Sequence, residues 1–479
     1  MNRKSIAVLS LVFLGLGASI QHVCADWVDK TITPYGFNGS AVNGLCGRTQ
    51  VGVSMPTDNA GFWSGTAHTW VDLNPVGSSK SYANGIYGDK EVGTATFFGI
   101  DHAGLWTGSS GAWIDLNPAG ASVSNGNAIY CNTEVGVAIL PAGQHAGLWM
   151  GTSASWVDLH PSGADASEAF AVYGNTQAGF ATISGSDHAA LWQGSSQSWV
   201  DLNPAGATSS YANGVFGEME VGCATFSGVT CAGLWQGTSD SWINLNPSGA
   251  DGSEIYGADD DTQVGYATLS GLDHAGLWNG SSATFTDINP SGATFSYAQA
   301  IYKAGSDVWI GGEVDGQAAI WHQGSIPVIS GQIIPEDVDP DSDYYYSGLT
   351  GSIEIQSTGG DILEKYPITL SNYQYYEIIT GQPDGAYVAV AKLSHWLAQA
   401  VPFTVTGGTG SVSFSLFNGD INGDNFVEDQ DYSLLGRAWY SQSGDANYDV
   451  RADLNCDGRV EDLDYSILAK NWYASGDDF

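Results

Sequence analysis

Two stretches near the end of the chain gather oxygen-bearing side chains at intervals that suit a hard divalent cation. The first, residues 420–431, places Asp420, Asn422, Asp424, Glu428 and Asp431 at positions 1, 3, 5, 9 and 12 of a twelve-residue loop. The second, residues 453–464, repeats the pattern 33 residues later with Asp453, Asn455, Asp457, Glu461 and Asp464. Calcium takes about six to eight oxygen ligands, and this spacing wraps a loop around one ion, with the carbonyls of Phe426 and Arg459 expected at position 7. Position 6 needs a left-handed turn; Gly458 supplies one, and Asn425 is of a residue type that accepts it. Two calcium ions are therefore expected, one per loop. Without a cation the clustered carboxylates repel one another, so ion binding and folding should be coupled.

Other sets of residues could do chemistry only if they converged. Asn59, His102, His145, His188, Cys231, His274 and Gln317 each stand four residues before a regularly spaced tryptophan. One such residue per repeat lies around a circumference rather than at a point, so each is read as a hydrogen-bonding group within its own repeat and not as part of a shared metal site. Asp29, Asp72, Asp115, Asp158, Asp201 and Asp287, with Asn244 in the same place, invite comparison with hydrolases that use carboxyl pairs about 5–10 Å apart. Successive repeats hold theirs too far apart, and the Asn-Pro that follows marks a turn, so these are read as turn formers. Asp259-Asp260-Asp261 reads as a solvated turn. The chain carries no Gly-x-Ser-x-Gly elbow, phosphate loop or His-Glu-x-x-His motif.

Tyr82, Tyr211 and Tyr297 share one repeat position, where other repeats carry Asn125, Glu168 and Glu254. Placed ahead of the first strand of a repeat, they could stack on a glycan or a peptide, or cap the repeat cores. Cys223 and Cys231, eight residues apart across a hairpin, are expected to form a disulfide. Cys46 and Cys131 are a second candidate pair.

The elements that must position these groups are legible from a period. Trp63, Trp106, Trp149, Trp192, Trp235, Trp278 and Trp321 succeed one another at 43 residues, and a second aromatic follows seven residues after all but the last. The missing copy is Trp27-Val28-Asp29, 43 residues before Trp70-Val71-Asp72. Each period holds four short β-like runs, such as 83–87, 91–97, 102–106 and 112–116, between Gly, Ser, Asn and Pro turns. Four strands in about 40–50 residues make a propeller blade. The fold expected is mainly β, with a seven-bladed β-propeller over residues 26–325. Residues 27–29 would pair with the strand ending at Trp321, closing the ring and removing an open sheet edge. A β-solenoid, the alternative, has no use for that pairing.

After residue 325 the period stops, and alternation at 353–356, 366–370, 387–390 and 412–416 predicts a small antiparallel β-sandwich over 326–417. Each acidic loop is followed by a helical stretch, 432–440 and 465–473, ending in Trp439-Tyr440 and Trp472-Tyr473. Val427, Leu434 and Leu435 with Val460, Ile467 and Leu468 should pack the two halves about a pseudo-two-fold axis. A duplicated loop closed by Asp at position 12 and followed by a single helix resembles a type I dockerin, an EF-hand-like module, over 418–479. The resemblance implies calcium-dependent folding and docking to a cohesin-like protein module. The family's recognition positions fall on Asp429, Gln430 and Arg437 and on Asp462, Leu463 and Lys470, which depart from the Ser/Thr pairs of cellulosomal dockerins. The 43-residue repeats resemble bacterial extracellular repeats of the HAF type, reading His-Ala-Gly-Leu-Trp in place of His-Ala-Phe-Leu-Trp. Residues 383–387 and 392–397 resemble transthyretin-like or carboxypeptidase-regulatory β-domains, which implies a spacer.

Residues 1–25 read as a signal peptide, with Arg3 and Lys4, an apolar run and Val23-Cys24-Ala25 before the cleavage point. No later stretch reaches the roughly 18–20 apolar residues of a membrane helix. With 51 acidic against 13 basic residues and a net charge of −38, nucleic acid is excluded as a partner. These readings describe a secreted, extracellular, non-catalytic binding or scaffold protein. The competing reading is a carbohydrate-active enzyme, which needs convergent carboxylates in the propeller channel.

Overall fold

The computed structural model describes residues 27–34, 36–338, 349–370 and 374–477. The signal-peptide reading of residues 1–25 lies outside the described residues.

The 43-residue period folds as a succession of four-stranded antiparallel sheets with the fold of a β-propeller, seven of them between Trp27 and Gln323. In the second sheet the strands are Lys80–Tyr87, Lys90–Phe97, Ile100–Trp106 and Ile114–Asp115, each beside the next. The first begins earlier than its hydrophobic run, and the last is cut to two residues because a 3₁₀ turn, Ser110–Ala112, occupies its start. Six sheets are contiguous in sequence. The seventh, made of Ser296–Ala304, Asp307–Val314 and Gln317–Gln323, takes its fourth strand from Trp27–Thr31, with Asp29 opposite Trp321.

The cores lie between sheets. Trp106 of the second sheet is buried among Val51, Ala60 and Leu73 of the first, and Trp63 of the first among Trp309, Ala318 and Ile320 of the seventh. In five repeats the indole stands against the second aromatic, for example Trp106 against Trp113 at 4.6 Å. This contact explains the glycine in Ala-Gly-Leu-Trp, because a Cβ on Gly104 would sit 1.9 Å from Trp113. A serine also fastens neighbouring sheets. Ser81 Oγ accepts the Ala60 amide at 3.0 Å and donates to Asn74 Oδ1 at 2.7 Å. Ser40 accepts the Ala318 amide at 2.9 Å, which joins the first sheet to the seventh.

The following sandwich has two four-stranded sheets around a core that includes Ile329, Ile353, Tyr376 and Trp396. It is not wholly antiparallel. Val328–Pro335 runs parallel to Thr409–Ser411 and Phe414–Leu416, because the module's entering and leaving strands lie side by side in one sheet. The C-terminal helices, α1 (Asp429–Arg437) and α2 (Asp462–Lys470), begin inside the acidic loops, three residues earlier than the sequence pattern places them. Both also end before the Trp-Tyr pairs, where Tyr440 and Tyr473 turn the chain at φ of +55° and +67°. Val427, Leu435, Val460 and Leu468 are fully buried in one cluster, with Trp439 and Trp472 packed against it.

Candidate functional site

Each acidic loop folds back on its own first and last carboxylates. In the first loop the amides of Gly423 and Asn425 donate to Asp420 at 2.8 and 2.9 Å, and those of Asn422 and Glu428 to Asp431 at 3.0 and 2.8 Å. In the second, Asp457 and Gly458 donate to Asp453 at 3.1 and 2.8 Å, and Leu454 and Glu461 both donate to Asp464 at 2.7 Å. Asn425 and Gly458 stand at φ of +72° and +86°, the left-handed turn expected at position 6. Phe426 forms a bridge with Ser475 in which the Val427 N–H donates to the Ala474 carbonyl and the Asn425 carbonyl accepts from the Gly476 N–H, so the Phe426 carbonyl is not used there. The loops are pinned reciprocally. Tyr473, after α2, donates to the Val427 carbonyl at 3.0 Å, and Tyr440, after α1, to that of Val460 at 2.9 Å.

These carboxylates are deeply buried: Asp420, Asp431 and Asp464 are 0% exposed and Asp453 is 2% exposed. Burial pushes the carboxyls of Asp431, Asp453 and Asp464 up, Asp464 to about 6, and a neighbouring carboxylate adds to each shift. A bound divalent cation relieves both causes. Among the described residues no three His, Cys, Asp or Glu side chains form a ready metal cluster. The donor set is mixed instead. Carboxylate, amide and backbone oxygens suit calcium and offer nothing to metals that prefer sulfur or imidazole.

The two halves differ outside the loops. Lys392, on the sandwich strand Gly385–Leu393, donates to Asp420 Oδ2 at 2.9 Å and to the carbonyls of Leu393 and Ser394 at 3.1 and 3.0 Å. The equivalent Asp453 meets the Tyr448 hydroxyl at 2.7 Å. The positions expected to meet a partner diverge too. Asp429, Gln430 and Arg437 are exposed on α1, as are Asp462 and Leu463 on α2. Lys470 is tied to the sandwich end, 3.1 Å from Asp337 and 3.3 Å from Glu336.

On the propeller, Tyr82, Tyr211 and Tyr297 lie within first strands rather than ahead of them. Their hydroxyls donate to Asp58, Asp187 and Asp273 of the preceding sheet at 2.8, 2.6 and 2.8 Å. The histidines behave as the repeat implies: Nδ1 of His102, His145, His188 and His274 each stands 2.8 Å from the aspartate thirteen residues on. Those aspartates also accept a backbone amide two residues ahead, as Asp115 does from Asn117 at 2.7 Å, so they form the turns. Lys303 pairs with Asp261 at 2.6 Å, giving the acidic turn a partner.

The expected disulfide is corrected. Cys223 and Cys231 are both free, because the register sets Cys223 opposite Ala232 and Cys231 opposite Ala224. A one-residue offset in an antiparallel pair points the two side chains to opposite faces. Cys46 and Cys131 are free as well.

Two features were not picked out from the sequence. All seven first strands carry a β-bulge at the same place, and the seven bulged residues meet around an axial cavity of about 390 Å3. They are Asn43, Asn84, Asn127 and Asn213 in four sheets and Phe170, Tyr256 and Gln299 in the other three. The repeated Asn-Gly at 43–44, 84–85 and 213–214 was the available signal. Three residues further along four of these strands, Tyr87, Tyr130, Tyr173 and Phe216 form an arc, each ring 4.9, 4.7 and 4.8 Å from the next. Their own 43-residue spacing announced it.

No curated protein matches the chain. Among solved structures, an interface mutant of a type II cohesin–X-dockerin complex from Acetivibrio cellulolyticus is similar at 22% identity and a TM-score of 0.27, over 32% of this chain and 99% of that one. The β-propeller domain of the Trilobed protease from Pyrococcus furiosus aligns at 8% identity and a TM-score of 0.44, over 60% of this chain and 95% of that one. Pyrococcus horikoshii acylaminoacyl peptidase aligns at 10% identity and a TM-score of 0.41, over 62% of this chain and 54% of that one. Residues 418–471, which carry both acidic loops and both helices, match the dockerin type I domain family.

Proposed function

We propose that this chain is a secreted, non-catalytic binding or scaffold protein that presents a propeller through a calcium-dependent docking module. On this reading residues 26–325 form a closed ring of seven blades, 326–417 a spacer and 418–479 the docking module. Two calcium ions are held by Asp420, Asn422, Asp424, Phe426 carbonyl, Glu428 and Asp431, and by Asp453, Asn455, Asp457, Arg459 carbonyl, Glu461 and Asp464. The partner is a cohesin-like module, met first through Asp429, Gln430 and Arg437, whose counterpart Lys470 is engaged by the sandwich. The pairing of Trp27–Thr31 with Gln317–Gln323 supports ring closure, and the resemblance to exported HAF-type repeats supports secretion. Among the described residues no helix is long and apolar enough to cross a membrane. The reading of the propeller as a binding head is supported by its axial cavity, lined by amides, small residues and two aromatic rings.

The single observation that carries the proposal is the pair of loops with buried like-charged carboxylates, in a segment matching the dockerin type I family. It is tested with residues 326–479 rather than 418–479, because Lys392 and the Leu397 side chain belong to the docking module's interior. Purified cohesin modules should be captured in millimolar calcium and released by chelator, and Asp420→Ala with Asp453→Ala should abolish capture. Capture that is equal in chelator, or absent across a broad cohesin panel, overturns the reading.

A further inference from the structure

The bulge that repeats in every first strand has a structural task in four sheets and not in the other three. A bulge turns one carbonyl out of the ladder, and a buried carbonyl needs a donor. Asn43, Asn84, Asn127 and Asn213 supply it: each donates Nδ2 to the carbonyl just before the bulge of the next sheet, those of Ala83, Gly126, Ala169 and Ile255, at 2.8–3.1 Å. Asn127 and Asn213 use their second N–H on Glu168 and Glu254, both at 2.9 Å. All the neighbours of these two nitrogens are acceptors, which fixes the amide orientation. Both residues line the cavity, and their recorded hydrogen bonds use only the amide nitrogens, which leaves the amide oxygens as acceptors for a ligand there.

In the remaining sheets this position holds Phe170, Tyr256 and Gln299. Phe and Tyr cannot bridge to the next sheet as asparagine does, so the repeat gives up a structural hydrogen bond to place aromatic rings on the axis. Those rings are held from behind. Phe170 stands 5.5 Å from Phe180, which stands 5.5 Å from Tyr211; Tyr256 stands 5.9 Å from Tyr266, which stands 5.2 Å from Tyr297. Between them the wall is small, with Ala171, Gly214 and Ala258. Among the described residues no Asp, Glu, Lys, Arg or His lines the cavity, and Glu168 and Glu254 behind it are occupied by the asparagines.

We propose that the axial cavity is a binding site for a neutral saccharide, with Phe170 and Tyr256 as stacking platforms and the oxygens of Asn127 and Asn213 as acceptors for its hydroxyls. A sugar offers C–H faces to aromatic rings and donors to amide oxygens, and needs no counter-charge. The cavity volume falls within the roughly 300–1,000 Å3 of small-molecule sites. The arc from Tyr87 to Phe216, three residues along the same strands, extends the aromatic surface for further units of a chain. This proposal rests on the reading of the propeller as a binding head.

The test is calorimetric titration of the full mature chain with neutral monosaccharides and hexasaccharides of glucose, xylose and mannose, beside a lysine hexapeptide. The expected result is saturable binding of a neutral saccharide, with at least a tenfold loss in the double variant Phe170→Asn, Tyr256→Asn. That variant restores the residue four sheets already carry, so its melting temperature and cohesin capture should be unchanged. A monosaccharide that binds as tightly as its oligomer marks a free sugar as the ligand; a gain with length marks a polysaccharide chain. Saccharide binding that survives the double variant overturns the axial site while leaving the binding-head reading intact. Failure of every saccharide, or preference for the lysine peptide, overturns the saccharide assignment, and failure of all probes counts against the binding head itself.

Discussion

The protein is built from two repeat systems that treat buried polar groups in opposite ways. In the 43-residue repeat the serines, tyrosines and histidines meet partners within the protein, Ser81 with Asn74 and Ala60, Tyr211 with Asp187, His102 with Asp115, and the groups left over are mainly neutral indole N–H groups such as those of Trp63 and Trp106. In the 33-residue repeat, carboxylates at both ends of each loop are buried together, and amides, one tyrosine hydroxyl and a single lysine answer them. The first arrangement is complete without an ion, and the second is not. Sequence repetition thus yields one module whose polar groups call for no ion and one whose folding should be linked to its medium.

The strongest way to break this contrast is chelation. Removing calcium should unfold the segment from 418 onward, seen as lost helical circular dichroism and fast amide exchange, while the propeller keeps its exchange protection. Loss of protection in both, or in neither, would dissolve the distinction. A smaller effect separates the two halves of the C-terminal module. Lys392→Met leaves Asp420 buried without its cation, and breaking such a pair costs about 3–5 kcal/mol. The loss should be largest in chelator and smaller in saturating calcium, where the ion holds the same carboxylate; denaturant midpoints in the two media measure it. Equal losses in both would mean that Lys392 serves the sandwich alone. The smallest effect concerns the propeller. Tyr211→Phe removes one inter-sheet hydrogen bond of many and should lower stability by about 1 kcal/mol, independently of calcium.

Much of the mainly β character, the four-stranded units and the paired loops could be read from spacing alone, because the buried indoles and the loop carboxylates recur at fixed intervals. What could not be read depends on register and on contacts between modules. The pairing of Cys223 with Ala232 differs by one residue from the pairing a disulfide needs, and no hydrophobic pattern in that hairpin specifies the difference. Tyr82, Tyr211 and Tyr297 looked like loop residues because their strands begin before the apolar run. Lys392 reaches Asp420 from another module, so composition within the loop gives no hint of it. The helices start early because Asp431 and Asp464 already accept the amides of Glu428 and Glu461, the residues that cap α1 and α2, so each loop's last carboxylate is also helical.

The strand Trp27–Thr31 also sets an order of events. Among the described residues its strand partner is Gln317–Gln323, so a chain that emerges amino end first must keep this strand waiting until residue 323 has been made. Linking such distant segments is slow, since the entropy of closing the loop comes before any contact rewards it. During that wait the seventh sheet is a three-stranded edge and the amino-terminal strand a loose one, each able to pair with its counterpart on a second nascent chain. The pairing that gives the seventh sheet its fourth strand in one molecule is thus the point at which crowded synthesis would join two molecules together.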